Sequence, residues 1–195
     1  MPRAGLDAAV VTAAAADLAD EIGLQGITMS LLAGRLGVKA PSLYKHVESQ
    51  AALHRAVGVL ALTELEDAVG SAIASAAPGD RLDAATAAIR TYVQRHPGRY
   101  AATVSVDPAS SEDPLTVAGG RLMDTLAGTL VAYAIPETQL VHALRLVRSL
   151  LHGFVALEQA DGFLIAVDTD ESFRWMIAFV DRGLRALAGE GGRED

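Results

Sequence analysis

The chain has 195 residues, of which 51% are hydrophobic and only 5% aromatic, with a formal net charge of −8 and no cysteine. That length allows one large core or a small domain joined to a larger one, and the core must be built mostly from Ala, Leu and Val. The lack of cysteine excludes a disulfide framework, a thiolate metal site and a thiol redox sensor, and it suits a reducing cytoplasm, where we expect the protein to act. The acidic total disfavours a broad phosphate-binding surface, yet the charge is unevenly spread. Between Gln25 and Arg55 the basic residues Arg35, Lys39, Lys45 and Arg55 are opposed only by Glu48. A basic island on an acidic protein suits a chain that meets nucleic acid with one face.

Helical periodicity recurs along the chain and no convincing strand pair interrupts it, so the expected fold class is all-α. The first helix is expected over about 6–21, with Val10, Val11, Ala14, Leu18 and Ile22 on one side and Gly23 after its end. Asp7 and Asp17 bracket its alanine-rich run, which argues against an export signal. Thr28 is an N-cap type opening a second helix to Leu36, and a third spans about 40–47. Ser49 can cap a long fourth helix carrying Leu53, Val57, Leu60, Leu65, Val69 and Ile73. A break at Pro78-Gly79-Asp80 precedes a fifth, which His96-Pro97-Gly98 ends. Residues 106–113 read as a flexible loop. Asp113-Pro114 opens a helix to about Tyr133, Pro136-Glu137 the next to about Gln159, and Asp168 with Glu171 the last. Gly119-Gly120 reads as a close-packing site rather than a phosphate loop, and the tail from Gly189 as disordered. No apolar stretch is expected to approach the ~20 residues of a membrane span, so no membrane partner is expected.

The most informative stretch is Thr28-Met-Ser-Leu-Leu-Ala33-Gly-Arg-Leu-Gly37-Val-Lys-Ala-Pro-Ser-Leu43-Tyr-Lys-His-Val47. Ala33, Gly37 and Leu43 carry helix-turn-helix spacing. A small residue lets two helices cross closely, glycine supplies a positive φ at the turn, and an aliphatic residue anchors the underside of the second helix. The outer face of that helix then presents Lys39, Ala40, Pro41, Ser42, Tyr44, Lys45 and His46. These are phosphate donors and small groups able to reach base edges in a major groove.

Residues 6–55 resemble the DNA-binding domain of the tetracycline-repressor (TetR) family, on the run Leu36-Gly37-Val38-x-x-x-x-Leu43-Tyr44-x-His46-Val47. His152-Gly153-Phe154-Val155-Ala156-Leu157-Glu158, followed by Gly162-Phe163, is similar to a C-terminal subfamily marked by a His-Gly helix motif. The resemblance implies a three-helix head over 1–47 and a larger helical ligand-binding and dimerisation core over 48–195. It places Thr28 against a phosphate, gives Tyr44 and His46 phosphate contacts, and turns Lys39, Ala40, Pro41, Ser42 and Lys45 to the groove. Two positions depart from the family: Gln50 stands where a phosphate-binding Lys is common, and Ser30 where Arg is frequent. Both lower the positive charge and predict weaker non-specific affinity.

Nothing assembles a catalytic or cofactor-binding set. His46, His54, His96, His142 and His152 share no i, i+3 or i, i+4 spacing, so no metal site is expected. His152 reads as an interior histidine at a helix crossing that Gly153 makes close, or as a ligand contact. The last two helices carry more apolar surface than one core needs, which points to a homodimer interface through Leu146, Leu150, Phe154, Leu157, Trp175 and Phe179. An effector pocket is expected among Tyr92, Tyr100, Met123, Leu126, His152 and Phe154, of a kind that favours an uncharged, partly aromatic molecule. The expected function is repression from a palindromic double-stranded DNA operator by a homodimer, modulated by a small-molecule effector. The competing reading is a helical scaffold module that no longer meets DNA.

Overall fold

A computed structural model describes residues 6–105 and 110–190, so the loop read at 106–113 lies partly, and the tail from Gly189 mostly, outside the described residues. Every regular element among them is helical, as the periodicity predicts. The order is α1 (Ala8–Ile22), α2 (Met29–Leu36), α3 (Ala40–Leu43), α4 (Gln50–Ser75), α5 (Arg81–Arg95), α6 (Pro97–Ser105), α7 (Pro114–Leu130), α8 (Glu137–Gln159) and α9 (Thr169–Glu190). Helix starts trace to side chains that satisfy orphaned N–H groups. Asp7 accepts from Val10 N at 2.8 Å, Thr28 from Leu31 N at 3.2 Å, Ser49 from Ala52 N at 3.0 Å, Asp113 from Leu115 N at 2.9 Å and Asp168 from Asp170 N at 2.8 Å.

The chain divides into two compact units, one of residues 1–65 with 95–121 and one of 66–94 with 122–195. In the first unit Val11, Ala15, Leu24, Ile27, Leu32, Leu43, Leu53, Val57 and Ala102 form one buried cluster. The first three helices therefore share their core with the start of α4 and with α6. Helix α6 is an element the sequence reading missed. Pro97 looked like a stop, but it sits at the first helical position, where its missing N–H is no loss. Tyr100 N donates to His96 O at 2.9 Å to begin the new helix. Gly98 is needed there because a Cβ would run into the Ala19 backbone of α1. Gly119 and Gly120, read as packing glycines, do no such work: a Cβ at Gly119 would meet only Leu62 Cδ1 at 3.8 Å, and one at Gly120 would meet nothing.

Polar contacts reinforce the α1–α6 seat. Arg99 N donates to Asp20 Oδ1 at 2.9 Å, its guanidinium bonds Glu64 at 3.0 Å and Asp17, and His96 Nδ1 lies 2.9 Å from Asp20 Oδ2.

In the second unit Leu82, Ile89, Val93, Val147, Leu151, Val155, Phe173, Ile177 and Leu184 are buried. At its centre lies Arg90, only 9% exposed. Its guanidinium bonds Glu158 at 2.5 and 3.1 Å, pairs with Asp170 at 2.7 Å, and covers the Phe173 and Phe154 rings at 4.8 and 5.5 Å from their centroids. A buried cation is tolerable when carboxylates and aromatic faces replace its water, as they do here. Tyr133 Oη donates to Asp181 Oδ1 at 2.5 Å, and burial, followed by that carboxylate, pushes the phenol pKa up.

Helix α8 corrects one expectation. It is long and apolar enough, by length and composition alone, to cross a membrane. Arg145 and Arg148 stand exposed at its middle, and each would cost about 2.5–3.5 kcal/mol at a bilayer centre.

Candidate nucleic-acid interface

The helix-turn-helix is built by three positions, each for a separate physical reason. Ala33 and Leu43 are buried, the first where α2 packs on its neighbours and the second beneath α3. Gly37 adopts φ 66°, ψ 30°, a left-handed conformation that costs a residue with a Cβ about 1–2 kcal/mol. Its N–H bonds Gly34 O at 3.2 Å, and Val38 N bonds Ala33 O at 3.0 Å. That pair of bonds closes the C-terminus of α2 and turns the chain into α3.

The third helix is shorter than the expected 40–47. It forms one α turn, Ala40–Leu43. Lys39 supplies no side-chain cap, and Pro41 supplies no N–H, so few bonds hold this segment. The chain continues in tight turns, with His46 N and Val47 N both donating to Leu43 O, at 2.8 and 3.0 Å. On the outside stand Lys39, Pro41, Tyr44 and Lys45, exposed, with Ala40, Ser42 and His46 partly covered. Tyr44 is 54% exposed although it flanks the buried Leu43. Thr28 and Ser30 are exposed at the start of α2.

The basic island is smaller in space than in sequence. Arg35 forms a bidentate pair with Glu21 at 2.5 and 2.6 Å, and Arg55 pairs with Asp113 at 2.6 Å. Hydrogen bonding from Arg35 holds the Glu21 carboxyl below its usual range. Among the described residues Lys39 and Lys45 make no ion pair, so they carry the charge available to an anion. Gln50 has a task of its own: its amide donates to Ile27 O at 2.8 Å, tying the start of α4 to the segment before α2. The side chain is exposed all the same, and this bond uses one of its two N–H groups.

Two comparisons bear on this geometry. The family model described as the tetracyclin repressor-like C-terminal domain matches residues 82–180. An uncharacterized HTH-type transcriptional regulator of Mycobacterium tuberculosis is 33% identical over 174 residues, spanning 89% of this chain and 79% of the relative. The chain belongs to the TetR family of transcriptional regulators. Solved structures share the fold: BioQ with its double-stranded DNA operator aligns at TM-score 0.70 and 22% identity, over 93% of this chain and 99% of the other. A TetR variant of Acinetobacter baumannii in complex with minocycline aligns at TM-score 0.65 and 26% identity, over 97% and 98%.

The residues singled out in the TetR-like core differ in burial. Tyr92, Leu126 and Phe154 are buried, Met123 and Tyr100 are partly buried, and Tyr100 belongs to the first unit while the others belong to the second. His152 is exposed and a Cβ on Gly153 would meet nothing, which corrects the reading of an interior histidine at a close crossing. A cleft of about 730 Å³ lies between α5 and α9, and none of those six residues lines it. Of the expected interface residues, Leu146, Leu157, Trp175 and Phe179 are exposed and Leu150 partly so. Phe154 is corrected: it packs inside the second unit, 4.8 Å from the Phe163 ring and 5.2 Å from the Phe173 ring. Phe154 shares its helical stripe with Val147 and Leu151, and that stripe faces the core.

Proposed function

We propose that this TetR-family regulator is a ligand-responsive repressor that binds a palindromic operator as a homodimer. The observation that carries the DNA contact is the exposure of Tyr44, Lys39 and Lys45 around a turn fixed by Gly37, with Leu43 anchoring the segment from below. Tyr44 and His46 then hold phosphates, and Lys39 and Lys45, which the resemblance turns to the groove, reach the phosphates along its edge. Ala40, Pro41 and Ser42 face base edges, and Thr28 and Ser30 present the free N–H groups of α2 to the backbone. The operator complex of BioQ supports this reading by analogy of fold. The protein acts in the cytoplasm, where its DNA is.

The homodimer is supported by the apolar surface of the last two helices. Trp175 and Phe179 stack at 5.6 Å yet stand 65% and 59% exposed, with Leu146 and Leu157 exposed on α8. Large apolar groups left in water at this density mark an interface. Two subunits joined there would set their α3 segments in successive major grooves, about 34–36 Å apart. A small molecule preferring one of two separations would shift operator affinity by its differential affinity for them. The minocycline complex of the Acinetobacter relative supports an effector of this general kind.

Fluorescence anisotropy on the chain's own upstream DNA, with light scattering on the complex, tests the proposal. The expected result is saturation at two protomers per duplex. Trp175→Asp should give a monomer by light scattering and weaken operator binding more than tenfold, since a buried unpaired charge costs several kcal/mol at a packed interface. A wild-type monomer at micromolar concentration, or no binding to upstream DNA, contradicts it.

A further inference from the structure

The cleft between α5 and α9 lies in one compact unit, and its walls differ sharply in chemistry. Ala87, Ile177, Ala178 and Phe173 supply an apolar strip, Thr91 and Gln94 supply hydrogen-bonding groups, and Asp83, Asp168 and Asp170 bring carboxylates. The two arginines that line it differ, since only Arg90 is paired with carboxylates and Arg174 is exposed without an ion pair among the described residues. Arg90 is held by Glu158 and Asp170, and Arg174 Nε donates to Asp170 O at 3.2 Å. Asp83 likewise makes no ion pair among the described residues. The volume, about 730 Å³, falls within the range of small-molecule sites.

We propose that this cleft binds an organic cation with an apolar body, its ammonium group on Asp83 and its hydrocarbon along Ala87, Ile177 and Ala178. The geometry sets the order of the parts. Arg90 pairs with Asp170 across the two helices, whereas Asp83 lies seven residues earlier on α5, about 10 Å along the helix axis. The ammonium therefore sits well away from the Arg90 guanidinium, and the intervening wall is apolar. Electrostatics agrees with the placement. Asp83 stands exposed at the rim, and partial desolvation first, then the carboxylates of Asp181 and Asp80, push its carboxyl above its ordinary value. A cation brought to Asp83 relieves both, because it restores to the carboxylate the stabilisation that desolvation and like charge remove. An anion is served less well: Arg90 beneath the cleft is neutralised by two carboxylates, and the one unpaired guanidinium, Arg174, stands exposed beside Asp170. This names a site and a ligand class for the effector of the proposed function, and it rests on that reading only for its regulatory consequence.

The test uses the full-length protein without DNA and three probes of matched shape, 4-phenylbutylamine, 4-phenylbutanol and 4-phenylbutyrate, by isothermal titration and thermal shift. The amine should bind and raise the melting temperature, and the alcohol and carboxylate should bind at least tenfold more weakly. Asp83→Asn should lower amine affinity at least tenfold, Ala87→Trp should abolish it by filling the cleft, and Asp124→Asn on α7 should leave it unchanged. Circular dichroism of each variant confirms that it folds. Equal binding of the three probes, no amine binding, or amine binding indifferent to both Asp83→Asn and Ala87→Trp overturns the proposal. Operator affinity with and without bound amine is read separately. An unchanged operator affinity with a bound, Asp83-dependent amine would leave the site standing and contradict only its regulatory consequence.

Discussion

The α2–turn–α3 segment and the α5–α9 cleft are two surfaces of one chain made by different kinds of information. The first is assembled within 20 residues, from a small residue, a glycine in the left-handed region and an aliphatic anchor at fixed spacing. The second depends on partners distant in sequence: Arg90 reaches Glu158, 68 positions on, and Asp170 beyond it. Local stereochemistry writes itself into a short pattern, whereas a cleft between distant helices leaves no pattern of its own. The contrast extends to charge. In sequence the stretch from Gln25 to Arg55 has four basic residues, but long-range pairing with Glu21 and Asp113 engages Arg35 and Arg55.

The largest expected effect would break the comparison at its long-range end. Gly98→Ala forces a methyl group into the Ala19 backbone. It should destabilise the protein by about 3 kcal/mol, the upper range for overpacking, and lower the melting temperature by about 6–12 °C in calorimetry. A change under 2 °C would mean that α6 does not seat on α1 as described.

A second expectation sharpens the local end. Tyr44→Phe and His46→Ala should each weaken operator binding by about 1–3 kcal/mol, the value of a hydrogen bond to a charged phosphate. The losses should be alike on specific and unrelated duplexes, because phosphates carry no sequence information. Anisotropy titrations on both duplexes check this, and a loss confined to one sequence would reassign these residues to base edges.

These two regions also show what was legible beforehand. The all-α class, the caps at Thr28, Ser49, Asp113 and Asp168, and the turn at Gly37 were readable, because each is decided within a few residues of itself. Helix α6 was missed although Pro97 offered a first-position signal, since the same proline also reads as a terminator. The contacts of Gln50 and Arg35 were not legible locally, because their partners Ile27 and Glu21 sit on other segments. In the core, hydrophobicity marked Phe154 without telling which face it serves, and the Arg90 cluster left no motif at all. The exposed His152 shows the converse error, in which the neighbouring Gly153 suggested a close helix crossing that the packing does not provide.

The smallest effect concerns pH. Hydrogen bonding from Arg185, opposed by burial and aided by Tyr133, holds the Asp181 carboxyl below its ordinary value. A depressed folded pKa means that this stabilisation is present above the unfolded value, near 3.9, and is lost as pH falls through the folded one. Asp181→Asn should therefore cost little, about 1 kcal/mol or less at neutral pH, since its partner Arg185 is exposed. The difference from wild type in urea titrations should shrink below pH 4. A difference that grows on acidification would reverse the assigned sign.

The central claim, that the turn at Gly37 presents a phosphate-binding surface whose charge lies on Lys39 and Lys45, is tested most directly by the salt dependence of operator binding. Removing one cation that neutralises a phosphate should reduce the slope of log K against log salt by about one unit. The account predicts that Lys39→Ala and Lys45→Ala each flatten the slope by about that amount, while Arg35→Ala, whose charge is spent on Glu21, leaves it unchanged. Flattening by Arg35→Ala, with unchanged slopes for both lysine variants, would contradict it.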